Sequence, residues 1–105
     1  MVATQVKVKL VNEQFMGEFY FRKDQEATAR SLLKDGWYRD AGEFAVEGTG
    51  EDAAEEVFDL TNNPYRQSER EQLYGRGRSL SVGDLVEVDG VLWLCASTGW
   101  KALRV

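Results

Sequence analysis

The dipeptide Asp89-Gly90, set between two apolar runs, constrains this chain more than any other feature. Asp-Gly favours a two-residue turn whose twist matches that of paired strands. Leu85, Val86 and Val88 precede it and residues 91–96 (VLWLCA) follow, so the two runs are expected to pair as an antiparallel hairpin. Thr98-Gly99 then predicts a turn into a last strand over 100–105. Leu80 and Val82 extend the pattern upstream, and the segment from Ser79 onward is expected to curl into a small half-barrel.

The amino-terminal half adds further strands. In QVKVKLV, residues 5–11, Val6, Val8 and Leu10 fall on one side and Lys7 and Lys9 on the other, the pattern of a half-buried strand. The aromatic run FMGEFYF, residues 15–21, is read as its antiparallel partner. Residues 37–39 and 43–46 are read as a second hairpin around Asp40-Ala41-Gly42.

Two helices are predicted between these strands. Asp24 can cap one with apolar positions at Ala29, Leu32 and Leu33, closed by Gly36. Thr49 can cap the other, with Asp52 at the reciprocal position of a capping box and Ala54, Val57 and Phe58 on its buried stripe. Pro64 ends it, because the residue before proline avoids helical backbone. A third, short helix over 67–74 is read in the polar connector YRQSEREQLYGRG. These elements specify an α+β fold in a single domain over 1–105: an antiparallel sheet of about five to seven short strands with two helices covering one face.

Composition narrows the chemistry. The 105 residues contain no histidine and one cysteine. Histidine-dependent triads, His-ligated zinc and imidazole proton shuttles are thereby excluded. The lone Cys95 rules out an internal disulfide framework, fits a reducing, cytoplasmic setting and sits in an apolar run where a thiol is inert. No apolar run approaches the roughly 20 residues of a membrane span, and residues 1–12 lack the apolar block of a secretion signal. No metal site, cofactor site or catalytic residue is expected, and no membrane partner.

The formal charge of −5 is distributed unevenly. Residues 40–59 hold eight acidic side chains and no basic one, whereas residues 60–105 hold six basic and five acidic. Within the predicted second helix, Glu51, Asp52, Glu55, Glu56 and Asp59 crowd the faces left over by its apolar stripe. Carboxylates at i and i+4 stand about 6 Å apart along a helix, close to the phosphate spacing of a DNA strand. The same residues equally serve to solvate a helix whose other face is buried.

The connector that follows interleaves Arg66, Arg70, Arg76 and Arg78 with Tyr65 and Tyr74, the pairing that grips nucleic-acid backbones and stacks on bases. Its Gly75-Arg76-Gly77-Arg78-Ser79 run lacks the spacing and lysine of a phosphate loop and is followed by β-type alternation, unlike a dinucleotide fingerprint. Turn chemistry accounts for Gly75, Gly77 and Gly83.

The order of helix, NNPYR, arginine-bearing connector, RSLSVGDLVEVDG, aromatic strand and STGW resembles the RSxSxGD domains of the YodL-like type. The resemblance covers roughly residues 53–101 and is firmest over residues 78–84 and at Gly99-Trp100. Those domains occur in phages, plasmids and related mobile elements, and no catalytic residue can be carried over from them. The resemblance implies a mobile-element context, in which small cytoplasmic proteins often act by binding a host protein.

The expected function is therefore a non-enzymatic protein-interaction module, an inhibitor of a host defence or nucleic-acid-processing protein acting through the acidic helix. The candidate contact residues are Glu51, Asp52, Glu55, Glu56, Asp59, Tyr65, Arg66, Arg70, Tyr74, Arg76, Arg78 and Trp100. The alternative is a small nucleic-acid-binding domain that uses the Arg/Tyr connector.

Overall fold

The computed structural model describes residues 3–21 and 23–104, apart from the Phe21 side chain. Val105, the expected end of the last strand, lies outside the described residues. The fold is α+β, with four α-helices and a five-stranded antiparallel open sheet among the described residues. The strands are β1 (Ala3–Val11), β2 (Tyr38–Glu47), β3 (Leu85–Val88), β4 (Val91–Ala96) and β5 (Gly99–Leu103). Their spatial order is β2-β1-β3-β4-β5, so β2 and β5 are the edges.

The Asp89-Gly90 turn forms as its sequence demands. Both residues have positive φ, 50° and 80°, and Val88 pairs with Val91 across the turn. Residues 79–84, expected to begin the β segment, form no strand; β3 starts at Leu85.

Residues 15–21 are helical, not the strand expected from their aromatic content. A 3₁₀ turn at Glu13–Phe15 leads into α1 (Glu18–Phe21). The Asn12 side chain accepts the Gln14 N–H at 3.0 Å and starts the turn. Phe15 and Phe19 stand four residues apart and lie against the same apolar cluster, a spacing that suits a helix better than a strand. β1 instead pairs with β2 on one side and β3 on the other.

The second expected hairpin is one continuous strand. Val8 pairs with Gly42 and Lys9 with Asp40, which leaves Ala41 as the extra residue of a bulge. Asp40-Ala41-Gly42 thus bends β2 without reversing it, and the Lys9 ammonium holds Asp40 at 2.8 Å.

The helices are α2 (Gln25–Lys34), α3 (Gly50–Asn62) and α4 (Gln67–Leu73). Asp24 caps α2 by accepting the Ala27 N–H at 2.9 Å. Thr49 is the N-cap residue of α3 but its side chain makes no capping bond. Ala53, Ala54, Val57, Leu60 and Thr61 form the buried stripe of α3, at helical spacing.

The helices divide between the faces of the sheet, contrary to the expectation of two on one face. Neighbouring residues in a strand point to opposite sides. Val6, Val8, Leu10, Phe44, Val46, Val86 and Val88 pack beneath α3 together with Tyr74 and Leu80. Val11, Leu85, Leu94 and Leu103 point the other way, onto Phe19 and the Ala29 and Leu32 stripe of α2. Both α2 and α3 bury about one face, but each needs its own side of the sheet because β3 and β4 are apolar on both.

Candidate interaction surface

The connector between α4 and β3 folds inward. Arg78 donates from Nη1 to Asp84 Oδ2 at 2.6 Å and from Nη2 to Asp84 Oδ1 at 2.8 Å. The planar guanidinium fork matches both carboxylate oxygens, the strongest form of this pairing. Asp84 is 0% exposed and also accepts the N–H groups of Val11 at 2.9 Å and Ser81 at 2.8 Å. Arg78 further donates to the Val11 carbonyl at 2.8 Å. One arginine and one aspartate thus tie the end of β1, the connector and the start of β3 into a single knot.

The rest of the RSLSVGD run serves the same knot. Ser79 Oγ donates to the Thr61 carbonyl at 2.6 Å and accepts from Arg70 Nη1 at 3.0 Å. Leu80 N–H donates to Thr61 Oγ1 at 3.1 Å, so the carboxyl end of α3 is stitched to the connector. Gly83 has φ +102°, and a Cβ there would lie 2.6 Å from the Phe19 ring. Tyr38 donates its hydroxyl to the Gly83 carbonyl at 2.6 Å. Burial, with the Asp84 charge nearby, pushes the Tyr38 phenol far above its usual range.

Arg70 and Tyr74 are equally internal. Arg70 donates to the Thr61 carbonyl at 2.7 Å and to the Gly77 carbonyl at 2.6 Å, with its guanidinium 5.8 Å from the centre of the Tyr74 ring. Tyr74, proposed from sequence as a contact residue, is 6% exposed and packs edge-on against Phe44. Its hydroxyl donates to the Arg78 carbonyl at 2.6 Å. Burial raises the Tyr74 phenol above its ordinary range.

Arg66 joins the connector to the acidic helix. It donates to Glu56, to Asp59 at 2.8 Å and to Glu69 at 2.9 Å. The hydrogen bonds that Arg66 donates to Glu69, Glu56 and Asp59 raise the guanidinium pKa, and Arg66 in turn holds the Glu69 carboxyl below its usual range. Two of the five acidic positions of α3 are therefore paired within the fold, although one positive charge is shared among three carboxylates. A third, Glu55, accepts the Trp100 indole N–H at 2.8 Å, and Trp100 meets Phe58 edge-on.

What remains outward is a different set. Glu51 and Asp52 are exposed in the first turn of α3 and make no ion pair among the described residues. Glu43 and Glu47 project from the edge strand β2 and are exposed as well. Arg76 is exposed without an ion pair among the described residues, and Tyr65 is 96% exposed. Sequence reasoning missed the β2 carboxylates, although their alternation with Phe44 and Val46 marks them as outward. Arg78, expected from sequence as a contact residue, is instead the internal partner of Asp84.

The chemistry available elsewhere is sparse. Cys95 is buried, and desolvation together with the charges of Asp84 and Glu55 pushes its thiol up to about 12. Among the described residues no three His, Cys, Asp or Glu side chains converge to hold a metal ion. A groove of about 520 Å³ beside α2 is lined by Phe15, Ala27 and Leu32 with Glu18, Lys23 and Asp24. Among the described residues no helix is long and apolar enough to cross a membrane. Comparison with known proteins finds no matching family model, no matching curated protein and no matching solved structure.

Proposed function

We propose that the protein is a non-enzymatic, cytoplasmic protein-interaction module that meets a basic partner with its carboxylates. The carrying observation is the unequal use of charge: Arg66, Arg70 and Arg78 are bonded within the fold, while Glu43, Glu47, Glu51 and Asp52 face outward. Exposed carboxylates, of which Glu47, Glu51 and Asp52 make no ion pair among the described residues, raise the local negative potential and steer a positively charged surface toward it. A partner that handles nucleic acid carries such a surface, and in the mobile-element context that the YodL-like resemblance implies, an inhibitor directed at a host protein would exploit it.

The nucleic-acid reading rests on Arg76 and Tyr65, both exposed on the connector. One exposed arginine gives little of the counterion release that drives phosphate binding. The protein-interaction reading is therefore preferred.

Affinity capture from the cell that expresses the protein tests this. Proteins retained by the native chain should be lost with Glu51→Lys/Asp52→Lys and kept with Arg76→Gln/Tyr65→Ala. The reverse pattern would move the contact to the connector and sink the acidic-surface reading.

A further inference from the structure

We propose that the open edge of β2, over Glu43 to Glu47, receives an extended segment of the partner in which basic and apolar residues alternate. The inference rests on the protein-interaction reading and names the geometry of the contact.

Backbone direction along β1 identifies which groups of β2 are free. Val11 gives its N–H to Asp84 and accepts from Arg78 at its carbonyl, both on the β3 side. The next residue, Asn12, donates its N–H to the Trp37 carbonyl on the β2 side. Direction alternates along a strand, so Thr4 and Val6 bond toward β2 and their partners Val46 and Phe44 bond back toward β1. The N–H and C=O groups of Glu43, Ala45 and Glu47 consequently point away from the sheet. β2 is an edge, and no strand covers it among the described residues. Natural edges are commonly blunted by bulges and charges. The bulge at Ala41 and the Tyr74 ring over Gly42 blunt the first half of β2, but pairing from Glu43 to Glu47 is regular.

Beside this regular half lies a groove of about 240 Å³ between β2, α3 and α4. Its exposed apolar wall is Leu73, 41% exposed, while Val46 and Leu60 in the lining are buried. Two carboxylates, those of Glu56 and Glu69, line it together with the Arg66 guanidinium that bonds both. On the opposite face of the sheet, Glu43 has Lys7 4.0 Å away and Glu47 has no ion pair among the described residues.

An added strand would place alternate side chains on these two faces. Apolar side chains would enter the groove, and lysines or arginines would stand beside Glu43 and Glu47. A second copy of the chain fits poorly. Antiparallel pairing of two β2 edges centred on Ala45 sets Glu43 of one against Glu47 of the other, and like charges directly opposed are destabilising. Main-chain hydrogen bonds would supply affinity and the alternating pockets specificity.

The test is a fluorescence anisotropy titration with a labelled peptide of about ten residues alternating lysine and valine, long enough to span the edge. A peptide of the same composition in two blocks, and an alternating glutamate–valine peptide, serve as controls. The alternating basic peptide should bind saturably and the controls should not. Ala45→Pro, which removes an outward N–H, and Leu73→Glu, which charges the exposed groove wall, should each weaken binding by about tenfold or more. Leu73→Glu decides the matter if Ala45→Pro unfolds the chain. Equal binding of the blocked peptide, or affinity unchanged in both variants, would overturn the edge proposal. So would self-association that Ala45→Pro abolishes, because the edge would then belong to a second copy. Loss of peptide binding alone leaves the capture result dependent on Glu51 and Asp52 intact; failure of both removes the interaction reading itself.

Discussion

Arg78 and Asp84, six residues apart, meet through two parallel hydrogen bonds of 2.6 and 2.8 Å, and the carboxylate they share is fully buried. A buried carboxylate is tolerated only with a complete set of donors. Asp84 has that set: the two arms of Arg78 and the N–H groups of Val11 and Ser81. The serine, glycine and aspartate of the same run turn the chain so that these donors converge. The run is a latch between two strands that neighbour each other in the sheet but lie far apart in sequence.

A double-mutant cycle measures the latch. Arg78→Met and Asp84→Asn should each cost about 3–5 kcal/mol, because each leaves the other partner buried and unmatched. The double substitution should cost clearly less than the sum. Urea unfolding followed by tryptophan fluorescence reads all three. Additive losses of under about 1 kcal/mol each would mean an ordinary surface pair.

Gly83 should not accept a side chain. Its positive φ alone costs a non-glycine residue about 1–3 kcal/mol, and the added methyl would press on the buried Phe19 ring. Gly83→Ala is expected to lower the urea midpoint more than Gly90→Ala, where the φ is also positive but nothing lies within 4 Å of the new Cβ. Equal effects would mean that strain alone acts at both.

Cys95 gives the alkaline limb of stability. Its thiol is raised from 9.0 to about 12 by burial first, then by the charges of Asp84 and Glu55. A raised folded pKa means the contribution is whole below pH 9 and is lost as pH rises toward 12. Tyr38 and Tyr74, also raised, act only above their ordinary 10.0. The thermal midpoint should therefore begin to fall between pH 9 and 10, and Cys95→Ala should flatten that part of the curve. Alkylation of the native thiol at neutral pH should run about tenfold or more slower than in urea.

Much of this architecture is written locally. The Asp89-Gly90 hairpin, the Asp24 cap, the stop at Pro64 and the short helix after Arg66 each follow from chemistry within a few residues, and each forms. The failures are non-local. Residues 15–21 have strand-prone side chains, and only the packing of Phe15, Met16 and Phe19 into the α2 cluster selects the helix. Asp40-Ala41-Gly42 has turn composition, yet β1 runs straight past it and draws it into a bulge.

The contact residues divide in the same way. A sequence reveals where arginines and carboxylates lie, but not which will find each other. Arg66 reaches Glu56 across ten residues, and Arg78 reaches Val11 across 67. The outward direction of Glu51 and Asp52 was legible from the apolar stripe of α3. That of Glu43 and Glu47 was legible from their alternation with Phe44 and Val46, and only their place on a sheet edge required the strand order.

The account turns on Arg66, Arg70 and Arg78 of the connector being structural, which leaves the carboxylates to face a partner. Titration of labelled single-stranded DNA, single-stranded RNA and duplex DNA with the native protein, at about 50 mM salt where phosphate binding is strongest, tests this most directly. The prediction is no saturable binding to any of the three. Micromolar affinity that falls steeply with added salt and disappears in Arg76→Glu would contradict it.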